Sequence, residues 1–397
     1  MNGESHKGPF IAIACGGTGG HLFPGIAVAG QLVRRGCAVT LLISPKEVDQ
    51  QAVKSVKNME ILTLPAVGLS RGGMMTFLRG FAASYRAAKS HFVSRPPQAA
   101  LAMGGFTGAP PILAARRLGA QTFLHESNTI PGRANRWLAW VVDHGFVGFP
   151  EAATRLRVRN VTVTGTPVRP QFQPRPAGEC RSALGLDPAR PVCLVMGGSQ
   201  GASGVNDLVI QSLPSVARRF PAMQWLHLTG PADAEKVKNA YAEYRATAVV
   251  HTSLVEMELA LGAATLAVSR AGASSLAELA AMRVPAILIP YPAATDNHQW
   301  HNARAMSGTG AARLLEQKMA TRDSLSLLIC ELAGSQAMRE TMQSALAPWH
   351  RPQAAEQIAE TMLKAIARRS PRTVPDGWLE PSPDRNERHE FQTRPAR

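Results

Sequence analysis

A chain of 397 residues, 45% hydrophobic and 18% charged, has enough apolar residues for two globular cores and excludes a disordered chain. Its net charge of +15 is uneven: residues 1–170 hold 19 Lys/Arg against 7 Asp/Glu, while residues 171–367 hold 17 against 16, so the first half is the one expected to meet an anionic partner. Five scattered cysteines (Cys15, Cys37, Cys180, Cys193, Cys330) form no CxxC pair and no disulfide framework, which favours a reducing compartment.

Residues 1–9 are polar and lack the apolar stretch of a signal peptide, and no apolar run approaches the roughly 20 residues of a membrane span. The first predicted strand, 10–15, runs into Cys15-Gly16-Gly17-Thr18-Gly19-Gly20-His21 and then a helix beginning near Pro24. Strand, glycine turn and helix place free N–H groups at a helix N-terminus, where phosphate is favoured. The turn is not a GxGxxG fingerprint, and no Walker lysine follows it. Further strands are predicted at 38–43, 59–64, 99–103, 121–125, 144–147 and 160–164, alternating with helices as in a parallel sheet. A second glycine turn, Gly104-Gly105-Phe106-Thr107-Gly108, follows the strand at 99–103.

Between these strands, Met74 to Phe92 reads as an amphipathic helix with Met74, Phe77, Leu78, Phe81 and Tyr85 on one face and Arg79, Arg86 and Lys89 beside it. That face either packs on the sheet or docks on anionic lipid. Past the strand at 121–125, His125, Glu126 and Asn128 gather where open α/β sheets bind ligands. Residues 165–190 read as a proline-stiffened connection, with Arg169 a candidate phosphate ligand.

A second series follows, with strands at 192–196, 223–228, 247–251, 264–268 and 285–290. The strand at 192–196 runs into Gly197-Gly198-Ser199-Gln200-Gly201-Ala202. Ser269-Arg270-Ala271-Gly272-Ala273-Ser274-Ser275 reads as strand end, turn and helix start, with Glu278 one turn in and able to accept from both hydroxyls of a ribose. Asp296, Asn297, His298, Gln299 and Asn302 form a polar cluster suited to a sugar. Residues 319–346 and 350–367 read as helices, and 368–397 as a disordered tail.

Together these motifs, in this order over residues 8–365, resemble glycosyltransferase family 28, the bacterial peptidoglycan N-acetylglucosaminyltransferases. The resemblance implies a GT-B fold: two Rossmann-like α/β domains with parallel sheets facing across a cleft. It divides the chain into an acceptor- and membrane-binding domain at 1–168, a UDP-sugar domain at 169–349, a helix at 350–367 returning to the first domain, and the tail. It implies inverting transfer from UDP-N-acetylglucosamine to the C4 hydroxyl of the muramoyl sugar of lipid I, giving lipid II. The implied partners are that donor, that acceptor, an anionic membrane surface and other cell-wall synthesis proteins, with no nucleic acid. The implied place is the cytoplasmic face of the inner membrane, peripherally bound. No cofactor is implied and, without an Asp-x-Asp signature, no metal.

Carried over by position, His21 is the candidate base and Glu126 the second choice. Thr18, Gly19, Gly20, Asn128, Arg169 and Ser199 are expected around the donor and its diphosphate. The backbone of Leu254 is expected at uracil, the segment Ala273, Ser274, Ser275, Leu276, Ala277 and Glu278 at diphosphate and ribose, and Gln299, helped by His298, at the sugar hydroxyls. Three positions depart from the family pattern: Thr166 for Asn, Phe106 for Tyr, and Ser253 for an aromatic. The competing readings are a UDP-N-acetylglucosamine 2-epimerase, which needs no membrane face, a glycolipid transferase outside cell-wall synthesis, and a non-catalytic UDP-sugar sensor.

Overall fold

The computed structural model describes residues 8–17, 19–66, 73–198 and 200–369. Two all-parallel sheets organise it. The first contains β1 (Phe10–Ala14), β2 (Ala38–Ile43), β3 (Glu60–Thr63), β4 (Ala99–Ala102), β5 (Gln121–Glu126), β6 (His144–Val147) and β7 (Val161–Val163), in the order β3-β2-β1-β4-β5-β6-β7. The second contains β8 (Val192–Met196), β9 (Gln224–Leu228), β10 (Ala248–His251), β11 (Leu266–Ser269), β12 (Ala286–Leu288) and β13 (Arg313–Leu314), in the order β10-β9-β8-β11-β12-β13. The central strands are buried along their whole length, because helices cover both faces of each sheet. This is why they read as unbroken apolar runs rather than as alternation. β13 has only two residues, too few to show any pattern, and the sequence reading passes over it.

Each strand order reverses once, between β1 and β4 in the first sheet and between β8 and β11 in the second. A crevice opens at such a reversal, beyond the carboxyl ends of the strands. The turn at Gly16-Gly17 follows β1 and the turn at Gly104-Gly105 follows β4, so both edge one crevice. The turns at Gly197-Gly198 and at Ala271-Gly272 edge the other. The two crevices meet: Ser274 Oγ, on the helix Ala273–Met282, donates to Gly20 O at 2.9 Å.

The segment predicted as helix over 319–346 is two helices, Arg322–Gly334 and Gln336–Leu346, broken at Ser335, whose hydroxyl accepts from Met338 N. The helix Ala354–Arg369 lies against the first sheet, with Ile358, Met362, Leu363 and Ile366 packed among Ile11, Ile13, Leu22 and Leu32. The helix Gly73–Ser94 buries a ridge of small residues, Gly80, Ser84 and Ala88, ending at Phe92. Of the apolar face predicted for it, Phe81 and Tyr85 pack partly on the core, whereas Met74 and Leu78 are exposed. No described helix is long and apolar enough to cross a membrane.

Candidate active site between the two sheets

A cleft of about 1150 Å³ lies between the crevices. Gly20, His21, Glu126 and Asn128 line it from the first sheet, and Ala273, Ser274, His298 and Gln299 from the second. Thr18 and Ser199 fall outside the described residues.

His21 opens the helix Gly19–Arg34, and its ring is held by the turn after β4. A Cβ at Gly104 would stand 2.8 Å from His21 Cε1, and one at Gly105 would stand 3.1 Å from Cδ2. Both residues have positive φ (+109° and +75°), so glycine is required for conformation as well as for space. His21 lines the cleft, and its Nδ1 is buried. Burial pushes the imidazole below its ordinary pKa, and the nearby Glu126 carboxylate, Met103 carbonyl and Asp49 pull only partly the other way. His298, across the cleft, adds to the downward push. The ring is therefore neutral, the form a base requires.

Glu126, the second-choice base, is held at both oxygens. Its Oε1 accepts from Asn128 N (2.9 Å) and Asn128 Nδ2 (3.0 Å), and its Oε2 from Gly132 N (2.9 Å) and Asn135 Nδ2 (2.9 Å). Each oxygen thus accepts two bonds, which fills the four acceptor positions of a carboxylate. Such a carboxylate braces the loop after β5. His125, just before it, is also structural: its buried ring bonds Gly165 O and Ser127 Oγ, and burial lowers its pKa to about 4.

The brace reaches the other sheet. Asn302, fully buried, accepts at Oδ1 from Thr129 N (2.9 Å) and Thr129 Oγ1 (3.0 Å) and donates from Nδ2 to Asn128 Oδ1 (3.0 Å) and Ala271 O (3.2 Å). The Arg136–Asp296 pair at 2.6 Å also crosses the cleft, but it is half-exposed, and exposed pairs contribute only about 0–1 kcal/mol. Asn302 is the stronger tie.

On the second sheet's side, Ala273–Met282 begins without a side-chain cap, so its first-turn N–H groups and dipole are open to an anion. Gln299 Oε1 accepts from Tyr291 N (3.0 Å) and Ala271 N (3.3 Å), which leaves its amide N–H groups for the cleft. Arg169 lies between the rings of Phe23 (4.2 Å) and Phe172 (4.9 Å), with Nε buried and outside any hydrogen bond. Glu278 and Glu258 are close enough to oppose the fall in its pKa that burial causes. Burial, opposed by Arg169 and aided by Glu258, raises the Glu278 carboxyl to about 7. Leu276 turns its side chain into the second core, so only its backbone is available to a ligand, and Leu254 packs partly on the same core. Gly17 gives its N–H to Asp49 Oδ2 at 2.6 Å, which removes that donor from the set expected to hold phosphate.

Residues the sequence reading left out of the site are Asn135, Asn302's crossing role, Asp49 beneath the first turn, and Lys46, which lines the cleft. Among the described residues no group of three His, Cys, Asp or Glu is placed to hold a metal ion.

Two facing parallel sheets, each with a glycine-edged crevice at its reversal point, define a GT-B protein. The glycosyltransferase family 28 N-terminal domain matches residues 11–147 and the family's C-terminal domain matches residues 192–361, and the chain belongs to that family. It is 35% identical over 371 residues to a protein of Anaeromyxobacter sp. (strain K), with 90% of this chain and 94% of that one covered. That relative is named UDP-N-acetylglucosamine--N-acetylmuramyl-(pentapeptide) pyrophosphoryl-undecaprenol N-acetylglucosamine transferase. Among solved structures, Acinetobacter baumannii MurG superposes with a TM-score of 0.69 at 27% identity, covering 90% of this chain and 99% of that one. A putative UDP-N-acetylglucosamine 2-epimerase from Listeria monocytogenes gives 0.67 at 12% identity over 91% of this chain and 97% of that one, a likeness of fold alone.

If Gly104-Gly105 acts by holding His21, Gly105→Ala lowers the transfer rate by up to about a hundredfold, the scale of an ångström's misplacement. The same change made in His21→Ala alters the residual rate little. Equal losses in both backgrounds would show that the turn acts through something else.

Proposed function

We propose that the chain transfers N-acetylglucosamine from UDP-N-acetylglucosamine to the C4 hydroxyl of the muramoyl-pentapeptide sugar of lipid I, producing lipid II. The observation that carries this is family membership over both halves, combined with a cleft that sets a neutral imidazole opposite an uncapped helix N-terminus.

In this reading His21 Nε2 takes the C4 proton. The hydroxyl oxygen attacks the anomeric carbon from the face opposite UDP, and the bond to the UDP oxygen breaks, inverting the configuration. Charge grows on the departing diphosphate, where the N-terminus of Ala273–Met282 and Arg169 stabilise it. Glu278 accepts from the ribose, the Leu254 backbone reads uracil, and Gln299 donates to sugar hydroxyls. Gly19 and Gly20 bring the first turn up to the diphosphates, and Asn128, fixed by Glu126 and Asn302, fronts the donor sugar. With these cations and dipoles supplying the stabilisation, the proposal includes no metal. The two domains divide the work, acceptor on the first and donor on the second, near residue 168.

The acceptor's lipid sets the place of work. Met74, Met75, Leu78 and Trp137 are 50% exposed or more, and Leu78 and Trp137 border the cleft itself. Arg79, Arg86 and Lys89 extend from the same helix, in the half with a net charge of +12. We read this as the face that rests on anionic lipid at the cytoplasmic side of the inner membrane.

Radiolabelled UDP-N-acetylglucosamine incubated with a lipid I analogue is expected to label a lipid product only when acceptor is present, and still to do so in excess EDTA. Epimerised donor in the acceptor-free control would favour the epimerase reading, and donor binding without transfer the sensor.

Sedimentation with phosphatidylglycerol vesicles is expected to carry the protein down, and Met74→Glu with Leu78→Glu to release it. Equal binding to neutral vesicles, or an unaffected double variant, would contradict the membrane assignment.

A further inference from the structure

Lys46 lines the cleft but has no role in the reaction as proposed above. It stands just beyond β2, in Ser44-Pro45-Lys46, at the carboxyl end of a strand beside the reversal point of the first sheet. Its Nζ donates to Gly17 O at 2.5 Å and lies 5.3 Å from the centroid of the Phe106 ring. Among the described residues no carboxylate comes within ion-pair distance of it. Asp49, the buried acid of the same segment, instead directs Oδ2 to Gly17 N and to Ser44. An ammonium carries three donors. One is taken by Gly17, so a half-buried cation with, among the described residues, no carboxylate at ion-pair distance lines the cleft.

The turn after β4 relates this cation to the base. Gly104 and Gly105 lie against the imidazole of His21, and Phe106, the next residue, lies under Lys46. Imidazole and ammonium therefore sit toward opposite ends of one short turn. The acceptor has a matching layout: its reacting C4 hydroxyl and its C1 diphosphate are on opposite sides of one pyranose ring. In the proposed function the donor diphosphate has its own partners, the N-terminus of Ala273–Met282 across the cleft and Arg169.

We propose that Lys46 binds the diphosphate of the acceptor, so that the muramoyl ring lies along Gly104-Gly105-Phe106 with its C4 hydroxyl at His21. This deepens the reading of the preceding subsection and rests on it. It gives the two diphosphates separate cations on separate domains. It also gives Phe106 a function that needs no hydroxyl, since its ring face supports the ammonium and packs against Gly17, whose Cβ position is 3.3 Å from Phe106 Cε1.

The test is steady-state kinetics of Lys46→Met, Lys46→Gln and Lys46→Arg with a short-chain lipid I analogue, each substrate varied at saturation of the other. Loss of a charge-assisted bond should raise the acceptor KM about tenfold to a hundredfold in Lys46→Met and Lys46→Gln. The donor KM should stay within about twofold, and Lys46→Arg should recover most of the loss because it keeps the charge. A monophosphate analogue of the acceptor should narrow the gap between wild type and Lys46→Met. A rise in the donor KM instead would assign Lys46 to the donor diphosphate and overturn the proposal. A lowered melting temperature with both KM values unchanged would do the same, reducing Lys46 to a pin for the Gly17 turn. Failure of the wild type to transfer at all would overturn the proposed function, a result distinct from either of these.

Discussion

The site depends on one buried carboxylate. Glu126 ends β5 with both oxygens filled by N–H donors from the loop that follows and from the helix Arg133–Leu138, two of them on the side chains of Asn128 and Asn135. Through Asn128 the chain of hydrogen bonds continues to Asn302 and so to the turn after β11. A buried amide that completes all its bonds is rigid, and one left unpaired costs about 1–3 kcal/mol. The network therefore couples the shape of the loop after β5 to the position of the turn that opens the helix Ala273–Met282.

The two glycine turns of the first sheet do different jobs, although they look alike in sequence. The turn after β1 has its Gly17 N–H held by Asp49 and its Gly17 carbonyl by Lys46, so its shape is set from beneath. The turn after β4 holds no phosphate in this account and instead supports side chains, His21 on Gly104-Gly105 and Lys46 on Phe106. A glycine-rich turn following a strand signals close approach of something; the structure shows that in the second case the approaching group is a side chain of the protein itself.

Much of the architecture was legible because parallel strands buried on both faces leave an apolar signature, as at Val192–Met196, and because each functional turn follows one directly. β13 was not legible at two residues, nor was the break at Ser335, which is a capping residue within an otherwise helical stretch. Of the site, His21, Asn128, Ala273, Ser274 and Gln299 gather at the cleft, while Arg169 and Glu278 form a separate charged group beside it. Local motifs could not show that Asn302 pairs with Asn128 and Thr129, because that contact spans some 174 residues of chain. Lys46 carried a usable signal, its place just past a strand beside the first turn, but a lone lysine in a basic half gives no pattern to separate it from a solvated charge.

The central claim is that a neutral, glycine-cradled His21 is the base. The direct measurement is the pH dependence of kcat for the wild type and His21→Ala with both substrates saturating, so that the Glu278 carboxyl, at about 7 in the free protein, does not enter through donor binding. The account predicts a wild-type acid limb below the ordinary imidazole value of 6.5, and in His21→Ala a kcat lower by about 10²- to 10⁴-fold with that limb gone. A folded His21→Ala that retains most of its turnover and an unchanged acid limb would contradict it.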